Sequence, residues 1–195
     1  MPLPEAADDT ELARRCAAGQ RDAQRALFEQ ERAHVHRTLF RVLGSNRHAE
    51  DLIQDTFIAV FHSIASYRGE SSLRTWIDTI AVRATYRYLA QRDPIAHRLQ
   101  PVPDLPIAAP DPERQAQARE AIRRLYAALD RIEPKYRVAY TLHVIDGRPL
   151  KDVARVTRAS VLAVKNRVWR ARRRIHELAL RDPLLSEFLS RARRP

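Results

Sequence analysis

Six of the chain's twelve prolines fall between Pro94 and Pro112, in DPIAHRLQPVPDLPIAAPDP. Proline lacks an amide hydrogen and its ring clashes with the preceding helical turn, so no continuous helix can pass through this stretch. It reads as an extended linker. The flanking sequence is poor in glycine, with 4 in 195 residues, and rich in Ala, Leu and Arg, which favours helix. The chain is therefore expected to be all-α: a helical bundle over residues 1–92, a linker over 93–112, a helical C-terminal domain over 113–183 and a tail over 184–195.

Helical spacing supports this division. Leu27, Val35, Leu39, Val42 and Leu43 fall on one stripe, and Gly19 and Gly44 suit helix ends. HAEDLIQDTFIAVFHSIASY predicts another helix, RGESSL breaks it, and LRTWIDTIAVRATYRYLAQR resumes. Beyond the linker, Ala118, Ala121, Ile122, Leu125, Leu129 and Ile132 share a face. Pro134 suits the first turn of the next helix and Gly147 its end. Pro149 opens a short helix, TRAS turns, and Ser160 is placed to cap a long final helix. The tail LLSEFLSRARRP is expected either to extend that helix or to be disordered.

Charge is distributed unevenly. The net charge is +11, yet residues 1–92 hold 13 Lys/Arg against 12 Asp/Glu, whereas residues 113–195 hold 21 against 9. The second half thus has the composition of a polyanion binder. The single cysteine, Cys16, cannot form an intramolecular disulfide and reads as a small apolar filler, consistent with a reducing cytoplasm. The opening MPLPEAADDT is acidic and predicts no signal peptide. The longest strongly apolar run, FIAVF, is far short of the ~20 residues a membrane span needs, so no membrane insertion is expected.

The basic half carries a candidate helix-turn-helix. Leu150, Val153 and Ala154 share a face of its first helix. Val161, Val164, Val168, Ala171 and Ile175 share a face of its second. Opposite that stripe lie Leu162, Asn166, Trp169, Arg170 and Arg173, flanked by Lys165 and Arg172 on one side and Arg167 and Arg174 on the other. A recognition helix in a major groove reads base edges with such outward residues, Arg suiting guanine and Asn adenine, while flanking cations meet phosphates. The turn carries Arg158 where many such motifs carry glycine.

Two further constellations are weaker by themselves. In AEDLIQDTFIAVFHSI, Leu52, Ile53, Thr56, Phe57, Val60 and Ile64 form a buried face, opposite Asp51, Gln54, Asp55, Ile58 and His62. An apolar centre with a polar rim suits protein docking. Read from the residues alone, a solvated face with one stray apolar residue accounts for it better. Over residues 66–92, Tyr67, Trp76, Tyr86 and Tyr88 are interleaved with Arg68, Arg74, Arg83, Arg87 and Arg92. That pattern suits stacking on unpaired bases, and equally an aromatic core containing Trp76 and Ile80.

The order and spacing of these segments resemble a bacterial sigma factor of the extracytoplasmic-function type. AEDLIQDTF, YRGESSLRTWIDTIA and YRYL are similar to the family's region 2; LDRIEPKYRVAYTLHVIDGRPLKDVARV and VKNRVWRARRRI are similar to its region 4. The resemblance implies that the chain binds core RNA polymerase and promoter DNA. It places Asp51, Gln54, Asp55 and Ile58 on the polymerase. It places Arg68, Gly69, Glu70, Ser71 and Ser72 in a loop that captures a flipped base of the −10 element, with Trp76, Arg83 and Arg87 on the adjoining −10 surface. Lys165, Asn166, Trp169, Arg170 and Arg173 fall on the −35 surface, and an anti-sigma protein is an implied partner. Arg83, Arg87, Ala163 and Asn166 depart from residues common in the family, so the promoter sequence cannot be transferred from relatives.

No catalytic constellation is evident, and no cofactor or metal is expected. The glycines form no phosphate-cradling loop, His34 and His36 point to different faces of one helix, and there is no cysteine cluster. A stand-alone helix-turn-helix repressor or activator is the alternative reading. It leaves residues 49–64 and 66–92 without roles.

Overall fold

A computed structural model describes residues 4–46, 48–91 and 111–191. They form α1 (Pro4–Ala17), α2 (Arg21–Leu43), α3 (Ala49–Ser63), α4 (Leu73–Gln91), α5 (Pro112–Leu129), α6 (Pro134–Tyr140), α7 (Leu150–Val156), α8 (Val161–Ala179) and α9 (Pro183–Arg191), with no strand among the described residues. A 3₁₀ turn over Ile64–Ser66 extends α3, and a π turn over Thr141–Ile145 extends α6.

Local chemistry sets the boundaries. Gly44 ends α2 at φ 70°, donating its N–H to the Phe40 carbonyl at 2.8 Å. Asp111 caps α5 by accepting from the Arg114 N–H at 2.8 Å, with Pro112 in the first turn, where its missing N–H has no cost. The last proline of the expected linker thus belongs to a helix, and nearly all the rest of that linker lies outside the described residues. Ser160 caps α8 by accepting from Ala163 at 3.1 Å. Over its described residues, 184–191, the tail neither extends α8 nor is disordered. Together with Pro183 these residues form α9, which packs back on α5 with Leu185 buried and Arg124 paired to Asp182 at 2.8 Å.

In the N-terminal unit, α2, α3 and α4 pack pairwise, and α1 closes one side. Leu27, Val35, Leu39, Val42 and Leu43 are all buried, as their spacing predicts. Cys16 is buried among them, and burial pushes its thiol pKa up. In the C-terminal unit α8 packs on α6 and α7, and a second cluster joins α5, α8 and α9 through Leu125, Leu129, Ile175 and Leu185.

The two units also pack on each other. Val138, Ala139, Leu142, Val153 and Val156 belong to the same core as α2 and α4. Arginines dominate the polar part of the junction. Arg137, 1% exposed, donates through Nε to the Val42 carbonyl at 2.9 Å and through Nη2 to Leu43 at 2.8 Å, while Nη1 meets Asp130. These are orphan carbonyls at the end of α2, and a cation is the favoured partner there. Arg148 donates to Asp78 at 2.8 Å, Thr38 at 2.7 Å and Asp146 at 2.6 Å. Asp78 also meets His34 at 2.9 Å. Burial works against the Asp78 carboxylate, but the His34 contact and the Arg148 charge outweigh it and hold its pKa below the usual value. Arg41 pairs with Asp146 at 2.9 Å, and the Tyr126 hydroxyl donates to the Arg41 carbonyl at 2.8 Å.

Candidate polymerase and nucleic-acid interfaces

Three surfaces expected from the sequence are presented to solvent. On α3, Leu52, Ile53, Thr56, Phe57 and Val60 are buried, with Ile64 buried just beyond, while Asp51, Gln54, Asp55 and Ile58 are exposed. Ile58 is 49% exposed and opens onto a shallow groove whose other wall includes Ala84, Arg87 and Tyr88 of α4. The acidic stripe therefore adjoins the basic edge of α4.

The 67–72 loop is held from several sides. Gly69 takes φ 69°, a left-handed conformation that side chains resist. The Tyr67 hydroxyl donates to the Ser71 carbonyl at 2.6 Å, closing the loop on itself. Ser72 accepts from the Thr75 N–H at 3.2 Å, and Asp9 of α1 accepts from the Leu73 N–H at 2.7 Å, so two side chains serve the start of α4. Arg74 makes a bidentate contact with Glu31, itself 2% exposed. Arg68, Glu70 and Ser72 face solvent, with Gly69 and Ser71 half-buried between them. Trp76 is half-buried and meets Tyr67 edge-on, centroids 5.8 Å apart. It belongs to the core margin and still borders the loop. Arg83 and Arg87 are exposed further along α4. Partial burial and the nearby Arg158 lower the Arg83 pKa.

On α8, Val164, Val168, Ala171 and Ile175 are buried, while Leu162, Lys165, Asn166, Trp169, Arg170 and Arg173 are exposed, Trp169 at 59%. Val161, expected in the apolar stripe, is 43% exposed, because it opens the first turn of α8. Arg158 adopts φ 47°, so the turn does use the left-handed conformation that glycine would supply. Two outward arginines have intramolecular partners. Arg170 donates to the Tyr136 hydroxyl at 3.0 Å and lies 5.8 Å from that ring. Arg173 pairs with Glu177 at 3.1 Å and lies 5.9 Å from the Trp169 ring. Arg167, expected on a free flank, is half-buried, and its charge acts on Tyr86 of α4, whose phenol pKa is raised chiefly by burial.

Sequence reasoning missed Tyr136, Arg137, Arg148 and Asp78. Each has a partner 34 or more residues away, in Arg170 (for Tyr136), Val42 (for Arg137) and the Arg148–Asp78 pair. Local periodicity carries no signal for such pairs. Among the described residues no group of three or more His, Cys, Asp or Glu could hold a metal ion, and no helix is long and apolar enough to cross a membrane.

Among the described residues, an all-helical fold with an exposed basic helix after a left-handed turn, a capped polar loop beside aromatics and an exposed acidic-apolar stripe has the form of a helix-turn-helix DNA-binding protein. Residues 27–95 match the model of Sigma-70 region 2, and residues 122–175 match that of Sigma-70, region 4. The chain is 30% identical over 171 residues to the ECF RNA polymerase sigma factor SigM of Mycobacterium tuberculosis, covering 87% of this chain and 84% of that one. It is 27% identical to SigX of Bacillus subtilis, covering 86% and 90% respectively. The solved structure of CnrH in complex with the cytosolic domain of CnrY shares the fold, with a TM-score of 0.61, 22% identity and coverage of 89% of this chain and 98% of that one. The chain belongs to the ECF RNA polymerase sigma factors, alternative sigma factors that direct promoter-specific transcription initiation.

Proposed function

We propose that Asp51, Gln54, Asp55 and Ile58 form the contact with core RNA polymerase, that the loop from Arg68 to Ser72 with Trp76, Arg83 and Arg87 takes the −10 element, and that Lys165, Asn166, Trp169, Arg170 and Arg173 read the −35 element. The observation that carries this assignment is the pairing of an exposed acidic-apolar stripe on α3 with a loop closed by the Tyr67–Ser71 hydrogen bond and capped where it enters α4, on the same four-helix unit. Extracting a base from a stack costs a few kcal/mol, and stacking in a pocket returns ~1–3 kcal/mol per base. A loop ordered before DNA arrives avoids a further ordering cost at capture. The −35 duplex meets α8 through outward Asn and Arg on bases and flanking cations on phosphates.

On this reading the chain contributes binding and no bond chemistry of its own, acts in the cytoplasm, and is controlled by an anti-sigma protein. The solved complex of the sigma factor RpoE with the anti-sigma factor NepR from Bartonella quintana, similar in fold with a TM-score of 0.56, supports such control. The domain boundaries at 1–92 and 113–183 follow the same reading, with α9 added to the second unit.

The test is run-off transcription with core RNA polymerase, comparing the native chain with Asp51→Arg/Gln54→Ala. Both substitutions lie on an exposed face, so helicity by circular dichroism stays unchanged while polymerase affinity falls at least tenfold. Unchanged affinity removes the stripe from the interface.

A further inference from the structure

We infer that Leu162 is a specificity-determining residue of the −35 surface, and that it reads a thymine through the 5-methyl group that this base presents in the major groove. The inference rests on the −35 assignment of α8 above. Leu162 is 67% exposed and belongs to neither apolar cluster among the described residues. A single exposed leucine needs no explanation by itself; its position on α8 supplies one. Ser160 caps α8, so Leu162 stands second in the first turn. At 3.6 residues per turn it falls within about 60° of Asn166, Trp169 and Arg173 around the axis, and all four side chains are exposed. A helix in a major groove contacts base edges with residues near its N-terminus, and helical side chains tilt toward that end. Leu162 is therefore the leading side chain of the reading face.

The surroundings decide what covers it. Residues 153–176 contain eight Lys or Arg and no Asp or Glu, and Arg155, Arg158, Lys165 and Arg172 among them are exposed. An apolar side chain ringed by cations suits a surface with an anionic rim and apolar groups on its floor. A major groove has both, phosphates along its edges and thymine methyls at its base. Leucine has no polar atom with which to bond a base edge, so the methyl is the group on the groove floor that it can bury. A rise of 1.5 Å per residue puts Leu162 ~6 Å ahead of Asn166 along α8, about two base-pair steps at 3.4 Å. The thymine accordingly lies about two steps from the base pair read by Asn166, at the margin of the −35 element that the N-terminus of α8 approaches.

Holoenzyme assembled from core RNA polymerase and the full chain selects −35 sequences from a randomised duplex library. Each thymine of the preferred sequence is then replaced by uracil, which lacks only the methyl. The native protein is expected to lose about fourfold in affinity at one such position, the effect of one methyl leaving an apolar contact. Leu162→Ala binds the thymine and uracil duplexes equally at that position and keeps discrimination at the positions read by Asn166 and Arg170. Leu162→Met, which keeps an apolar side chain of similar volume, retains the uracil penalty. Affinity for core enzyme without DNA is the same in all three proteins. The inference is overturned if the preferred −35 sequence contains no thymine or tolerates uracil at every one, or if Leu162→Ala keeps the uracil penalty. It is also overturned if Leu162→Ala weakens binding to core enzyme instead, which makes Leu162 a protein contact. Arg170→Ala separates the two levels. Where it relaxes discrimination and Leu162→Ala does not, the −35 assignment stands and the methyl reading alone falls; where neither does, the −35 assignment of α8 falls and the inference with it.

Discussion

Arg137→Ala tests the junction energetically. The side chain is 1% exposed and makes two charge-assisted hydrogen bonds to the last carbonyls of α2 as well as an ion pair with Asp130. Hydrogen bonds to charged groups contribute ~1.5–3 kcal/mol each, and removing one member of a buried ion pair costs ~3–5 kcal/mol. These contributions overlap, because one guanidinium makes all of them, so the expected loss is about 4 kcal/mol rather than their sum. Against a typical total of ~5–15 kcal/mol this is a large fraction. Urea titration followed by far-ultraviolet circular dichroism reads it directly. With a slope near ~2 kcal/mol per molar, the midpoint falls by about 2 M. Arg137→Lys is the discriminating companion: it keeps the charge but lacks the planar fork that reaches two carbonyls and a carboxylate together. A midpoint change worth less than ~1 kcal/mol for Arg137→Ala, or a Lys variant as stable as the native chain, refutes the reasoning that geometry rather than charge holds this junction.

Arg170→Ala is expected to cost ~1–3 kcal/mol and relax discrimination at one −35 position, with Tyr136→Phe weakening the same position less; Arg172→Ala lowers binding to all sequences and reduces the salt slope by about 1. Holoenzyme binding to a library of −35 variants separates these outcomes, and a uniform loss with Arg170→Ala makes that residue a phosphate contact. Arg158→Gly is expected to stabilise the chain by ~0.5–1 kcal/mol, because the left-handed penalty of ~1–2 kcal/mol is relieved while glycine adds ~0.5–1 kcal/mol of backbone entropy cost. A lower thermal midpoint in that variant assigns the Arg158 side chain a stabilising contact.

The helices up to α8 and most of their ends and buried faces were legible because each is a local property, whereas α9, which packs back on α5, and the exposure of Val161 were not. Proline excludes helix wherever it recurs, glycine and serine mark ends through φ and capping, and a 3.6-residue period sorts Leu52 and Phe57 from Asp51 and Asp55 without reference to anything distant. The outward set on α8 follows from the same arithmetic, and the family resemblance attached roles to it. The destination of polar side chains is not periodic. Arg137 and Arg170 look alike in sequence, yet one is buried against the end of α2 and the other lies exposed beside Tyr136. Arg148 and Asp78 are 70 residues apart and meet only because α7 lies across α4. A hydrogen bond between distant residues depends on positions accurate to a few tenths of an ångström, which only the packed chain fixes. Tertiary structure alone therefore decided which cations are free for DNA and which are occupied holding the two units together.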